Sequence, residues 1–191
     1  MSVLTDLEIS QRLGQTGRSL TDLARVLHDR LEPATQMCLE SLANGGKLLV
    51  CGNGGSAAQA QHLVAELVVR FETDRRAIAA VSLSADTSVL TAAANDYGYE
   101  TVFSRQIEAL GNSGDTLIVF STSGKSKNIK EAIFAAQKKG MRILGISGRK
   151  GMAALCAVDI IAPGETTAVI QEMHMVVTHV LCQAIEKGIG K

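Results

Sequence analysis

The sequence predicts an α/β protein, a doubly wound sheet of five parallel strands in the order 2-1-3-4-5 with a helical extension ahead of it. Three observations lead there. Short apolar runs alternate along the chain with longer stretches of helical periodicity, the pattern of parallel strands joined by crossover helices. The runs are unbroken, as at 116–120, so the sheet is covered on both faces. Two runs end in loops rich in glycine or hydroxyls, at 53–56 and 121–126, which places them beyond strand carboxyl ends on either side of a topological switch point. No repeat, low-complexity tract or linker interrupts the pattern. A single domain over 1–191 follows, with a helical prefix at 1–45 and an α/β core at 46–191.

Taken in order, residues 5–29 read as an amphipathic helix, because Leu13, Leu20, Leu23, Val26 and Leu27 recur at helical spacing. Pro33 suits the first turn of a second helix, and Glu32 before it is steered out of the helical region, so a break is expected there. The second helix runs to Leu42 and stops at Asn44-Gly45-Gly46. The first strand is 48–52. Asn53-Gly54-Gly55 breaks it, and Ser56 is placed to cap a helix over 56–71. A strand at 77–83 precedes a helix at 87–94, closed by Asn95-Asp96-Tyr97-Gly98, and a helix at 102–110. The third strand is 116–120, followed by a helix at 128–139 that Gly140 ends. A fourth strand at 142–146, a loop at 147–151, a short helix at 152–156 and a fifth strand at 158–161 lead past Pro163-Gly164 to a final helix at 167–187.

Composition narrows the function. Hydrophobic residues make up 46% of the chain, enough for a large core, while aromatics are 3% and Trp is absent, so that core is aliphatic. Nineteen basic residues balance nineteen acidic ones, which leaves no basic field for nucleic acid. Cys38, Cys51, Cys156 and Cys182 are scattered and read as buried reduced thiols. The first residues lack an apolar signal core, and no apolar run approaches the ~18 residues of a membrane span, so a cytoplasmic protein without membrane attachment is expected.

The chemistry gathers at the two loops. A strand that ends in glycines and turns into a helix aims free N–H groups at one spot, which favours an anion and most often a phosphate. The first loop lacks the Gly-Lys-Ser/Thr ending of a Walker loop and the spacing of the Gly-x-Gly-x-x-Gly fingerprint, so no nucleotide cofactor is expected. The second loop offers the hydroxyls of Ser121, Thr122, Ser123 and Ser126 around Gly124, with Lys125 either adding charge or solvated. Either loop alone reads equally as an ordinary turn; two that converge favour a ligand. His62 and Glu66, four residues apart, share a face of the helix leaving the first loop. Taken alone, they are as readily a solvated pair, and His179 a satisfied core histidine.

The segments Cys-Gly-Asn-Gly-Gly-Ser at 51–56, Asn95-Asp96, Ser121-Thr122-Ser123-Gly124 with Ser126, and Ile-Gln-Glu-Met-His at 170–174 resemble the sugar isomerase (SIS) family from end to end, and within it the bacterial phosphoheptose isomerases. That resemblance implies interconversion of sedoheptulose 7-phosphate and D-glycero-D-manno-heptose 7-phosphate, a homotetramer with active sites at subunit interfaces, and one zinc ion per subunit. It implies a substrate site lined by Asn53, Gly54, Gly55, Ser56, Glu66, Asn95, Asp96, Ser121, Thr122, Ser123, Ser126 and Gln171, and metal ligands His62, Glu66, Gln171 and His179. An aldose–ketose isomerase needs a base near C1 and C2 and an acid for the oxygens. Glu66 is the natural base and His179 its natural partner. Gln171 and His179 stand eight residues apart, about 12 Å along a helix, so one ion reaches both only if the side chains lean together or different subunits supply them. His174 reads as core or as support for the ligands. The chain departs from many relatives at Val169, where Arg is frequent, and at Gln59, where Asp is frequent. Two other readings use the same loops. A non-enzymatic scaffold for a replication-initiation protein is disfavoured by Glu66 and His179, and a phosphosugar-sensing module by the absence of a helix-turn-helix or basic patch.

Overall fold

The computed structural model describes residues 3–149 and 151–190. In chain order the elements are α1 (Asp6–Ala43), β1 (Leu48–Gly52), α2 (Gly55–Val68), β2 (Ala80–Ser82), α3 (Thr87–Tyr97), α4 (Ser104–Leu110), β3 (Thr116–Ser121), α5 (Lys127–Lys138), β4 (Arg142–Gly148), β5 (Val158–Ala162) and α6 (Thr167–Ile189). A 3-10 turn, Tyr99–Thr101, joins α3 to α4. The sheet order is β2-β1-β3-β4-β5 with every pair parallel, as the sequence predicts.

Alternation along the strands divides the core in two. Leu48 and Val50 of β1, Ile118 and Phe120 of β3, and Leu144 and Ile146 of β4 face α1, α2 and α6. Leu49, Cys51, Leu117, Val119 and Ile143 face α3, α4 and α5. By length and composition α6 could cross a membrane, but Ile170, Met173, Val177, Leu181 and Ile185 bury its apolar side against the sheet and α1.

Several expectations are corrected. The two prefix helices are one, with Pro33 inside it. Pro33 withholds the N–H that the Asp29 carbonyl would accept. Asp29 and Arg30 are exposed, so water serves that carbonyl. Leu23 before the proline and Ala34 and Met37 after it pack into the same cluster and keep the two halves in line. A capping box between Thr5 and Glu8 starts this helix. Ser56 does not cap α2; Gly54 holds that position without a side-chain bond, and Ser56 is buried in the first turn. The strand expected at 77–83 shortens to the three residues of β2, because it pairs only with β1. The short helix at 152–156 is a single turn. There Asp159, bonded by Ser147 Oγ at 2.7 Å, also takes the Met152 N–H. Lys150, in the expected loop after β4, lies outside the described residues.

Candidate active site

β1 and β3 are neighbours in the sheet, so the loops that follow them open side by side at the strand carboxyl ends. Gly54 has φ +55°, which only glycine adopts readily, and this turns the chain from β1 into α2. Gly55 leaves room for a close approach: a Cβ there would displace the side-chain amide of Gln171 on α6. Gln59 Nε2 donates to the Gln171 carbonyl at 2.6 Å, so α2 and the start of α6 are tied behind the loop.

A reciprocal amide pair joins the two loops. Asn53 Nδ2 donates to Asn128 Oδ1 at 2.9 Å, and Asn128 Nδ2 donates to Asn53 Oδ1 at 2.7 Å. The Tyr99 hydroxyl donates to the same Asn53 oxygen at 2.9 Å. Asn128 is 3% exposed. These residues, with Ser126, Lys127 and Glu100, line a crevice of about 410 Å³. In the second loop Ser121 Oγ accepts the Gly124 N–H at 3.1 Å and Ser123 Oγ the Lys125 N–H at 3.2 Å, so two of the four predicted hydroxyls shape the loop, with Thr122 between them. Ser126 begins α5 without a side-chain cap bond, which leaves its hydroxyl beside the first-turn N–H groups of α5 for an anion.

The acid–base candidates converge. His62 Nε2 and His179 Nε2 lie 3.0 Å apart, bringing α2 and α6 together, and Glu66 Oε1 is 3.4 Å from His62 Nε2. Phe71 stacks on His179 with ring centroids 5.6 Å apart and planes inclined by 29°. Gln171, by contrast, lies against Gly55, about 12 Å along α6 from His179. Among the described residues no three His, Cys, Asp or Glu side chains form a ready metal-binding group. His174 is fully buried with Nε2 3.0 Å from the Ser147 carbonyl, which makes it a core histidine.

Asn95 and Asp96 do not line the crevice. Both are exposed in the last turns of α3, with Asn95 Nδ2 donating to Asp96 Oδ1 at 2.8 Å. Asp96 lines a separate groove of about 710 Å³ shared with Val81, Val89 and Arg105. Sequence reasoning missed Tyr99 and Asn128. Tyr99, one of two tyrosines in an aromatic-poor chain, carried a weak signal, whereas Asn128 read only as a helix start.

The model of the SIS domain family matches residues 13–148. The phosphoheptose isomerase of Campylobacter jejuni subsp. jejuni is 46% identical over 184 residues, covering 95% of this chain and 99% of that protein. The Helicobacter pylori phosphoheptose isomerase is 50% identical over 163 residues, with 84% and 85% covered. Among solved structures, phosphoheptose isomerase from Neisseria gonorrhoeae superposes with a TM-score of 0.88 at 40% identity, over 94% of this chain and 97% of that one.

Proposed function

The chain belongs to the SIS domain family, and from that premise we propose that it is an aldose–ketose isomerase converting sedoheptulose 7-phosphate to D-glycero-D-manno-heptose 7-phosphate, the opening step of nucleotide-activated heptose biosynthesis. The observation that carries this reading, beside the relatives, is the cluster of His62, Glu66 and His179 one helix length from an anion-binding crevice. Glu66 lies ten residues beyond Ser56, about 15 Å along α2, a span that suits an extended seven-carbon sugar and not a triose.

The phosphate is held where α5 begins, by the hydroxyls of Ser126, Ser121 and Ser123 and the first-turn N–H groups of α5. The Glu66 carboxylate takes a proton from C1 of the ketose, and the electron pair forms the C1–C2 double bond of an enediol. His179 protonates O2 as that bond forms. It then accepts the proton from O1, while Glu66 returns its proton to C2 and the aldehyde forms at C1. Asn53, Gly54, Gly55, Ser56, Thr122 and Gln171 complete the substrate site, and Asn95 and Asp96 join it at the interfaces of a homotetramer.

His62, Glu66 and His179 fit a zinc ion in donor type, and Gln171 is the weaker fourth candidate. The facing Nε2 atoms of His62 and His179, 3.0 Å apart, are the donors that would hold the ion. When bound, zinc supplies polarisation of the carbonyl and a hold on the sugar oxygens. The enzyme works in the cytoplasm. Incubating the purified protein with sedoheptulose 7-phosphate tests the reading: formation of the aldose 7-phosphate supports it, and a folded protein without turnover overturns it.

A further inference from the structure

Between α2 and β2 the chain crosses residues 69–79 without regular structure, and the middle of this segment gathers on one side chain. The Glu186 carboxylate, on the last turns of α6, accepts the N–H groups of Phe71, Glu72 and Thr73 at 3.0, 3.3 and 3.2 Å. It also accepts Thr73 Oγ1 at 3.1 Å and Arg75 Nε at 3.0 Å. Three successive backbone donors wrapped on one carboxylate form an anion nest. A carboxylate with only 5% of its side chain exposed tolerates burial because these donors saturate it. Arg75 extends the link. Its Nη1 donates to the Leu67 carbonyl at 2.9 Å and its Nη2 to the Glu66 carbonyl at 2.6 Å, closing the carboxyl end of α2.

The same cluster therefore grips the backbone of Glu66 and the peptide that carries Phe71. The Phe71 ring lies stacked on His179, while His62 meets that imidazole edge-on with centroids 5.2 Å apart. An imidazole packed between these two rings has one orientation open to it, whereas without Phe71 it gains rotational freedom. We infer that Glu186 and Arg75 are positioning residues for the acid–base pair, acting through Phe71 to fix the ring of His179. The kinetic consequence rests on the isomerase reading; the geometric one does not.

The test uses the full-length protein with Phe71→Leu, Phe71→Tyr and Glu186→Gln. Two readouts are taken: turnover of sedoheptulose 7-phosphate, and the ring-proton signals of His179 in histidine-labelled protein, assigned with His179→Gln. A stacked phenyl ring shifts those protons upfield. Phe71→Leu is expected to lower kcat about tenfold with KM nearly constant, because misplacing a reacting group costs rate and not binding. It should also move the His179 signals downfield. Phe71→Tyr, which keeps the ring, should restore both, and Glu186→Gln should shift both in the direction of Phe71→Leu. A folded Phe71→Leu protein with wild-type kcat and unmoved His179 signals would overturn the inference. If Glu186→Gln does not fold, Arg75→Lys takes its place, and a folded Arg75→Lys protein with wild-type kcat and unmoved His179 signals overturns the role of the pair. If the wild type does not turn over this sugar, the isomerase reading falls, and the His179 signals alone support or overturn the positioning role.

Discussion

Glu66 and His179 sit on different helices and are linked through His62, which lies 3.4 Å from the Glu66 carboxylate and 3.0 Å from His179 because α2 and α6 pack on the same face of the sheet. Replacing Glu66 with Gln keeps the shape and removes the base, so kcat should fall roughly a hundredfold or more with KM largely kept. Near wild-type turnover would remove Glu66 from the mechanism. His179→Gln should behave similarly, whereas His174→Gln should spare activity and reveal itself in stability. Burial drives the His174 pKa below its ordinary value, against the opposing pull of the Ser147 carbonyl and of Asp159. The native state thus holds His174 neutral, while the unfolded chain protonates it at the ordinary value. Stability on this account is intact above about pH 6.5 and is lost as pH falls below that value, where the unfolded state binds the extra proton. The carboxylates held below their ordinary range, Glu40, Glu172 and Glu186, add their loss only at more acid pH. Between pH 7.5 and 5.5 the wild-type unfolding midpoint should therefore drop further than that of His174→Gln, as read by calorimetry. Parallel curves for the two proteins would contradict this assignment.

At the scale of elements, the loops act through what joins them. Asn53 and Asn128 exchange two hydrogen bonds between the end of β1 and the start of α5, which sets the width of the crevice. Asn128→Ala leaves the Asn53 amide with Tyr99 alone and frees the first loop. The expected result is a KM for the sugar phosphate raised about tenfold, with a smaller fall in kcat, because a loosened anchor weakens binding before it misplaces the reacting end. Unchanged kinetics in a folded Asn128→Ala protein would show that the pair serves stability only. Ser126→Ala should raise KM as well, through the lost hydroxyl at the α5 start. This pair also marks what a sequence conceals. β1 was legible to the residue, since an apolar run bounded by Lys47 and Asn53 has a single reading. The prefix break was misread because Pro33 signals a local preference that packing around Leu23 and Met37 overrides. The hydroxyls of the second loop could be found because four fall within six positions. Asn128 could not, because its partner is 75 residues away and only the β1–β3 pairing brings them together.

The whole molecule is unbalanced in one direction. α1 has 38 residues and is about 57 Å long, whereas a five-residue strand such as β1 spans about 17 Å. From Leu23 onward it packs on α6 and the sheet, through Leu23, Ala34, Met37 and Cys38. Its first turns touch the rest of the chain through polar groups: Arg12 and Thr16 bond Glu172, and Gln15 bonds Glu165 at 3.0 Å. Leu7 and Leu13 are left 67% and 66% exposed, with Val3, Leu4, Ile9 and Leu20 also outside the core. The proposed homotetramer would bury this aliphatic surface against another copy. Asn95 and Asp96, exposed on α3 and outside the crevice lining, would serve a site only in that proposed assembly. Wild-type protein should run as a tetramer in light scattering. Leu7→Asp combined with Leu13→Asp places two charges in the contact while leaving the folded core untouched. The double variant should dissociate, keep its circular dichroism and lose most of its turnover, because each crevice then lacks what a neighbour supplies. A wild-type monomer with full activity would overturn the assembly and the shared site together. A dissociated variant that stays fully active would keep the assembly but confine the active site to one chain.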